Sequence, residues 1–139
     1  MCPEMYQTGE VAVFELISFP DKWKKIHVFL NNGKYVDSTF MKYQDKNYLF
    51  TYHLTKSAIA GELLLFEILE DGTLSGGDCI CDDIGKARPG GNLIKCGDRV
   101  IRVSQDSTDG YGKGLVFSEV ERVFPLYEEK EIMRIGRND

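Results

Sequence analysis

The residues of this chain best suited to chemistry are three carboxylates, one arginine and a few aromatic and amide side chains. Glu4 stands in Cys2-Pro3-Glu4, Asp37 precedes Ser38-Thr39, and Asp106 opens the run Asp106-Ser107-Thr108-Asp109. Glycosidic chemistry needs two carboxyl groups, one protonated to release the leaving oxygen and one ionised as base or nucleophile. They stand about 5–5.5 Å or 6.5–9.5 Å apart according to stereochemistry. Glu4 and Asp37 are the catalytic candidates, with Asp106 the third. Arg88 offers a planar fork for a carboxylate, a phosphate or an acidic sugar. Gln105 and Asp106 suit vicinal hydroxyls, Tyr111 and Tyr6 suit stacking on a sugar face, and His53 completes the substrate-binding candidates.

Each residue also has a plain structural reading. Glu4 is a solvated loop acid, Asp37 starts a strand by bonding its own backbone, and Arg88 with Asp106 forms an ion pair between loops. Gly110 and Gly112 meet backbone requirements around a partly core Tyr111. His53 is a satisfied core histidine and His27 a surface one. Trp23 packs against a fourth strand. Glu15 and Glu67, at matching places in apolar strands, are architectural.

The elements that must position these groups come from an internal repeat. Gly9–Leu16, "GEVAVFEL", returns 52 residues later as "GELLLFEI" at Gly61–Ile68, and a looser copy, "KGLVFSEV", ends at Val120. "FMKYQDKNYLFT" from Phe40 to Thr51 matches "LIKCGDRVIRVS" from Leu93 to Ser104: apolar run, tight Asp-bearing turn, apolar run, hence a hairpin. No window sustains helical periodicity over the ~11 residues a helix needs. The expectation is an all-β chain whose unit, a hairpin followed by two more strands, has the size of a four-stranded propeller blade. Residues 1–31 then hold half a blade (third and fourth strands), 32–82 a blade, 83–133 another, and 134–139 a polar tail. Two and a half blades leave edges and faces open, since closed propellers have about four to eight. The sequence therefore predicts either missing blades of a longer parent chain or a homodimer completing a five-bladed ring. The repeat also places Glu4, His53–Lys56 and Gln105–Tyr111 in one loop class, between second and third strands. It sets Asp37 and Arg88 just before innermost strands of neighbouring blades.

Composition narrows the partners. With 22 acids against 17 bases the net charge is −5 and the bases are scattered, so no nucleic-acid partner is expected. No apolar stretch approaches the ~20 residues of a membrane span, and the N-terminus lacks a signal-peptide layout, so a cytoplasmic protein without a membrane span is expected. Cys2, Cys79, Cys81 and Cys96 lack redox or zinc spacing, so reduced thiols and no metal or cofactor are expected.

The stretch from Ala87 to Val123, "ARPGGNLIKCGDRVIRVSQDSTDGYGKGLVFSEVERV", resembles the signature of glycoside-hydrolase-like five-bladed propellers. It is most similar to the domain of plant glucosamine inositolphosphorylceramide transferases and of bacterial surface-polysaccharide proteins, some of them formyltransferase-associated. "MCPEMYQTGEVAVFE" and the stretch from Phe19 to Tyr52 resemble the preceding part, so the likeness runs to about Val123. Val103 stands where that family commonly has proline, and Gly114 where a larger residue is frequent. The resemblance implies more blades upstream and a carbohydrate-active domain that binds or processes a glycan or sugar conjugate in surface-polysaccharide or glycolipid metabolism. By likeness to the wider hydrolase clan, Glu4 has the acid's setting and Asp37 that of the carboxylate that orients it or holds sugar hydroxyls. The alternative is a non-catalytic glycan-binding or protein-interaction propeller.

Overall fold

A computed structural model describes residues 1–55 and 57–136. The all-β expectation holds: ten strands and no helix among the described residues. They are β1 (Val11–Ser18), β2 (Lys22–Leu30), β3 (Tyr35–Tyr43), β4 (Lys46–Leu54), β5 (Gly61–Ile68), β6 (Leu74–Cys81), β7 (Ile94–Cys96), β8 (Arg99–Asp106), β9 (Gly114–Arg122) and β10 (Glu128–Ile135). They form three antiparallel sheets: β1-β2 alone, β3-β4-β5-β6, and β7-β8-β9-β10, each connected strand to neighbouring strand. No closed barrel or closed ring of sheets is present among the described residues.

The local chemistry explains the strands. β3 and β4 join through Gln44-Asp45, both at positive φ, the geometry of a two-residue hairpin turn whose twist matches its strands. β7 and β8 join through Gly97-Asp98, with Gly97 in the left-handed region. Tyr48 to Tyr52 of β4 and Val100 to Ser104 of β8 are buried without a break, the pattern of strands covered on both faces. The core lies between the two four-stranded sheets, where Met41, Phe50, Tyr52 and Leu63 meet Val100 and Val120.

A charged side chain in such a strand must be paired. Arg102, 2 % exposed in the middle of β8, makes two bonds to Glu129 of β10, at 2.7 and 2.6 Å, and a third to the Lys86 carbonyl at 2.9 Å. Tyr127 adds its hydroxyl to Glu129 at 2.7 Å. Burial pushes the Tyr127 phenol up, and the Glu129 charge pushes it further, so it remains a donor. Burial alone would raise Glu129, but its bonds from Arg102 and Tyr127 outweigh that and hold it below the ordinary glutamate range.

The first sheet is tied to the second by His27, whose Nε2 lies 2.9 Å from the Gly72 carbonyl in the β5–β6 turn. His27 is half-buried and edge-on to Phe29, not the surface residue its sequence context suggests. Trp23 lies within β2 itself, opposite Leu16. Glu67 pairs with Lys46 at 2.8 Å, as an architectural residue should, and Glu15 faces Lys24 across the strands. The four cysteines are free thiols.

Candidate functional site

The strands run from one end of the sheets to the other, so all the connections that are not hairpin turns collect at a single end. The start of β3, the β4–β5 and β8–β9 loops, the β6–β7 connection and the chain's first residues meet there, and Arg88 is at their centre. It is 8 % exposed. Its Nε donates to Asp37 Oδ2 at 2.6 Å and its Nη1 to the Ala58 carbonyl at 2.9 Å. The guanidinium lies near two aromatic rings, with the centroid of Tyr52 at 5.9 Å and that of Tyr111 at 5.1 Å. Gln105 fixes the segment that carries it: the Gln105 amide N–H donates to the Arg88 carbonyl and its Nε2 to the Pro89 carbonyl, both at 2.8 Å.

Asp37 reaches Arg88 through a local departure from strand geometry. The β3–β4 ladder slips between Val36 and Thr39, and Asp37 sits in that bulge at φ +52°, a conformation costly for most non-glycine residues and most accessible to Asp and Asn. The bulge turns the carboxylate toward Arg88. Beside it, Ser38 Oγ lies 2.8 Å from Thr51 Oγ1. Asp37 thus lies inside β3, two residues past its start.

Glu4 belongs to the same group by a route the repeat did not show. It stands one residue before the Met5–Glu10 bridge and the turn that leads into β1. Met1 and Phe14 exchange backbone bonds of 2.7 and 2.8 Å, and Met5 bridges Glu10, so Met1–Met5 runs beside β1 as a short strand-like segment. The turn follows at Tyr6–Gly9. From this position Glu4 Oε2 accepts the Asp37 N–H at 3.4 Å, and the two residues line one polar cleft of about 200 Å³ with Glu10, Tyr35 and Ser38.

Tyr111 is 64 % exposed rather than core; it lies over the guanidinium between Gly110 and Gly112, both at positive φ. The expected Arg88–Asp106 pair does not form, because each finds another partner. Asp106 Oδ2 pairs with Arg134 of β10, while Oδ1 accepts the Thr108 N–H at 3.0 Å and its hydroxyl at 2.7 Å. The Thr108 bonds, helped by Arg134, hold the Asp106 carboxyl below its usual range. It staples its loop. Tyr6 is exposed in its turn, and the rings over which Arg88 lies among the described residues are those of Tyr52 and Tyr111. His53 is half-buried, its Nδ1 3.4 Å from Glu62 and its ring 5.2 Å from Tyr35, at the edge of the group. Lys56 lies outside the described residues.

A family model described as glucosamine inositolphosphorylceramide transferase 1, N-terminal, matches residues 1–135. The chain belongs to that family. No curated protein and no solved structure matches it. Of its two departures from the family pattern, Gly114 has a structural reason and Val103 has none, since the bond that its carbonyl accepts is one a proline could also accept. A Cβ on Gly114 would stand 2.7 Å from the Ile135 carbonyl oxygen, so a larger residue has no room in this family member. The Val103 carbonyl accepts the Gly90 N–H at 2.9 Å, helping to lay the Arg88 segment on β8.

What the arrangement can do follows from the atoms left over. Among the described residues, Arg88 Nη2 and Asp37 Oδ1 have no hydrogen-bond partner and Glu4 is exposed. One fixed donor, two acceptors and an aromatic face suit a polyhydroxylated ligand. Sequence reading overlooked Tyr52 and the Ala58 carbonyl. Tyr52 was within reach, since it follows Tyr48 and Phe50 on the same face of β4. A backbone carbonyl carries no signal in the sequence.

Proposed function

We propose that this chain is the sugar-conjugate-recognising module of a glycolipid glycosyltransferase, built as an open arc of propeller-type blades and binding through the mouth centred on Arg88. Family membership supports the glycolipid context. The two four-stranded meanders and the repeat that relates them support the blade reading.

The observation that carries the reading is the convergence of Glu4, Asp37, Arg88 and Tyr111, drawn from four separate segments, with Asp37 held in a strained backbone to make it. Binding is favoured over turnover because one Asp37 oxygen is committed to Arg88 at 2.6 Å, the role of a positioning group. A glycan array together with a panel of sugar-phosphate and sugar-nucleotide donors tests it. Arg88→Ala should lose at least tenfold in affinity for whatever the unaltered chain retains, a loss of about 1.4 kcal/mol or more. Glu4→Gln should keep binding; if it instead abolishes turnover of a bound conjugate, the module is catalytic with Glu4 as acid. An array blank for the unaltered chain removes the reading.

A further inference from the structure

The polar cleft that Glu4 and Asp37 line does not end at the mouth. Cys2 and Ser38 line both it and a second, larger groove of about 620 Å³, so the two are continuous. The groove follows β3 from Ser38 to Lys42, toward the hairpin-turn end, about 13 Å at the rise of a strand. Val13 and Phe29 line it from the first sheet, Phe40 and Met41 from β3, and Ile68 from the end of β5. The Phe29 and Phe40 ring centroids are 5.8 Å apart. His27, bonded to the Gly72 carbonyl, meets Phe29 edge-on at 4.5 Å and helps to fix that ring. Among the described residues no carboxylate lines the groove, and Lys42 is the one charged residue that does.

We propose that this groove is an alkyl-chain subsite, so that the mouth takes an amphiphile: a polyhydroxylated head against Glu4, Asp37 and Arg88, and one saturated chain laid along β3. The head rests on the reading of the mouth given above; the chain rests on the groove. Continuity selects this occupant, because a ligand held by its head in the cleft has its next atoms at Cys2 and Ser38, where the apolar lining begins. Burial pushes the Cys2 thiol up, so the junction carries a neutral thiol and no thiolate. A saturated chain asks for no hydrogen bond and gains with each methylene removed from water. A peptide strand, the other extended occupant, needs an unbroken row of backbone partners. β3 is the edge strand of its sheet, but its ladder slips between Val36 and Thr39, where cleft and groove meet, and a bulge there interrupts strand addition.

The n-alkyl glucosides from methyl to octyl, each below its micelle concentration, test the groove. Calorimetric affinity and the rate at which iodoacetamide alkylates Cys2 are the two readouts. A fully buried methylene is worth about fourfold in affinity, so in an open groove each should add about twofold. Octyl glucoside should slow the alkylation of Cys2, while Cys79 and Cys96, exposed and outside the groove, react at an unchanged rate. Phe40→Ser should flatten the chain-length series. Arg88→Ala should weaken every member by the same factor and keep the slope; if it weakens none while the slope persists, the reading of the mouth fails and the groove stands. Affinity that does not rise with chain length, with Cys2 alkylated as fast under octyl as under methyl glucoside, overturns the groove alone. A slope that survives Phe40→Ser puts the chain elsewhere on the protein and overturns it equally.

Discussion

Asp37 in β3 and Arg88 in the β6–β7 connection, 51 residues apart, are joined by a 2.6 Å bond between Oδ2 and Nε. The bond spans the junction of the two four-stranded sheets at their open end. It fixes a guanidinium that is nearly out of solvent, so the same contact shapes the mouth and holds the sheets in register there.

Removing one member of that pair leaves the other in a largely dry site. Asp37→Ala should cost about 2–3 kcal/mol in chemical denaturation. Asp37→Gly loses the same carboxylate but accepts φ +52° without strain, so it should be the more stable of the two by roughly 1 kcal/mol. Equal losses would mean that the backbone at Asp37 relaxes and that the bulge stores no strain.

Tyr111 lies over Arg88 yet is mostly in solvent. Tyr111→Ala should leave stability within about 0.5 kcal/mol of the parent while weakening the binding of any sugar ligand found by array. Tyr111→Phe should restore most of it, because stacking uses the ring. A ligand that tolerates Ala as well as Phe does not stack there.

Arg102 and Glu129 form the buried pair of the third sheet. Arg102→Met strands Glu129 and should destabilise by about 3–5 kcal/mol, whereas Arg102→Met with Glu129→Leu should recover most of the loss. Urea denaturation of the three proteins distinguishes pairing from simple loss of packing.

The same pair sets a pH dependence. Glu129 is held below its ordinary range in the folded chain, so the unfolded chain binds its proton first on acidification. Its stabilising contribution is full above about pH 4.3, the unfolded glutamate value, and disappears as pH falls through the depressed folded value. Denaturation midpoints should therefore fall below about pH 4.3 in the parent. In Arg102→Met, where only the Tyr127 bond and the Lys86 charge still oppose the burial of Glu129, the acid-side fall of the midpoint should shrink or reverse.

Gly61 and Gly114 occupy corresponding places at the starts of β5 and β9. A Cβ at Gly61 would stand 2.2 Å from the His53 carbonyl oxygen, and one at Gly114 2.7 Å from that of Ile135. Alanine at either should cost about 2 kcal/mol or more, since backbone must move to admit it. Thermal unfolding of Gly61→Ala and Gly114→Ala tests both, with the larger loss expected at Gly61.

The amino-acid sequence by itself determined the strands and their grouping in meanders. Alternation, β-branched and aromatic runs, and turn pairs such as Gln44-Asp45 act over a few neighbouring residues, so they are written where they operate. The repeat carried that information further, setting β1, β5 and β9 in equivalent places. Only the tertiary structure decided which charges meet. Arg88 was open to Asp106 or a ligand and chose Asp37, while Asp106 took Arg134. Charge attraction does not depend on chain order; the partner is the carboxylate that packing brings within reach. That depended on a bulge at Asp37 and on a first segment lying along β1, backbone features with no residue pattern to announce them.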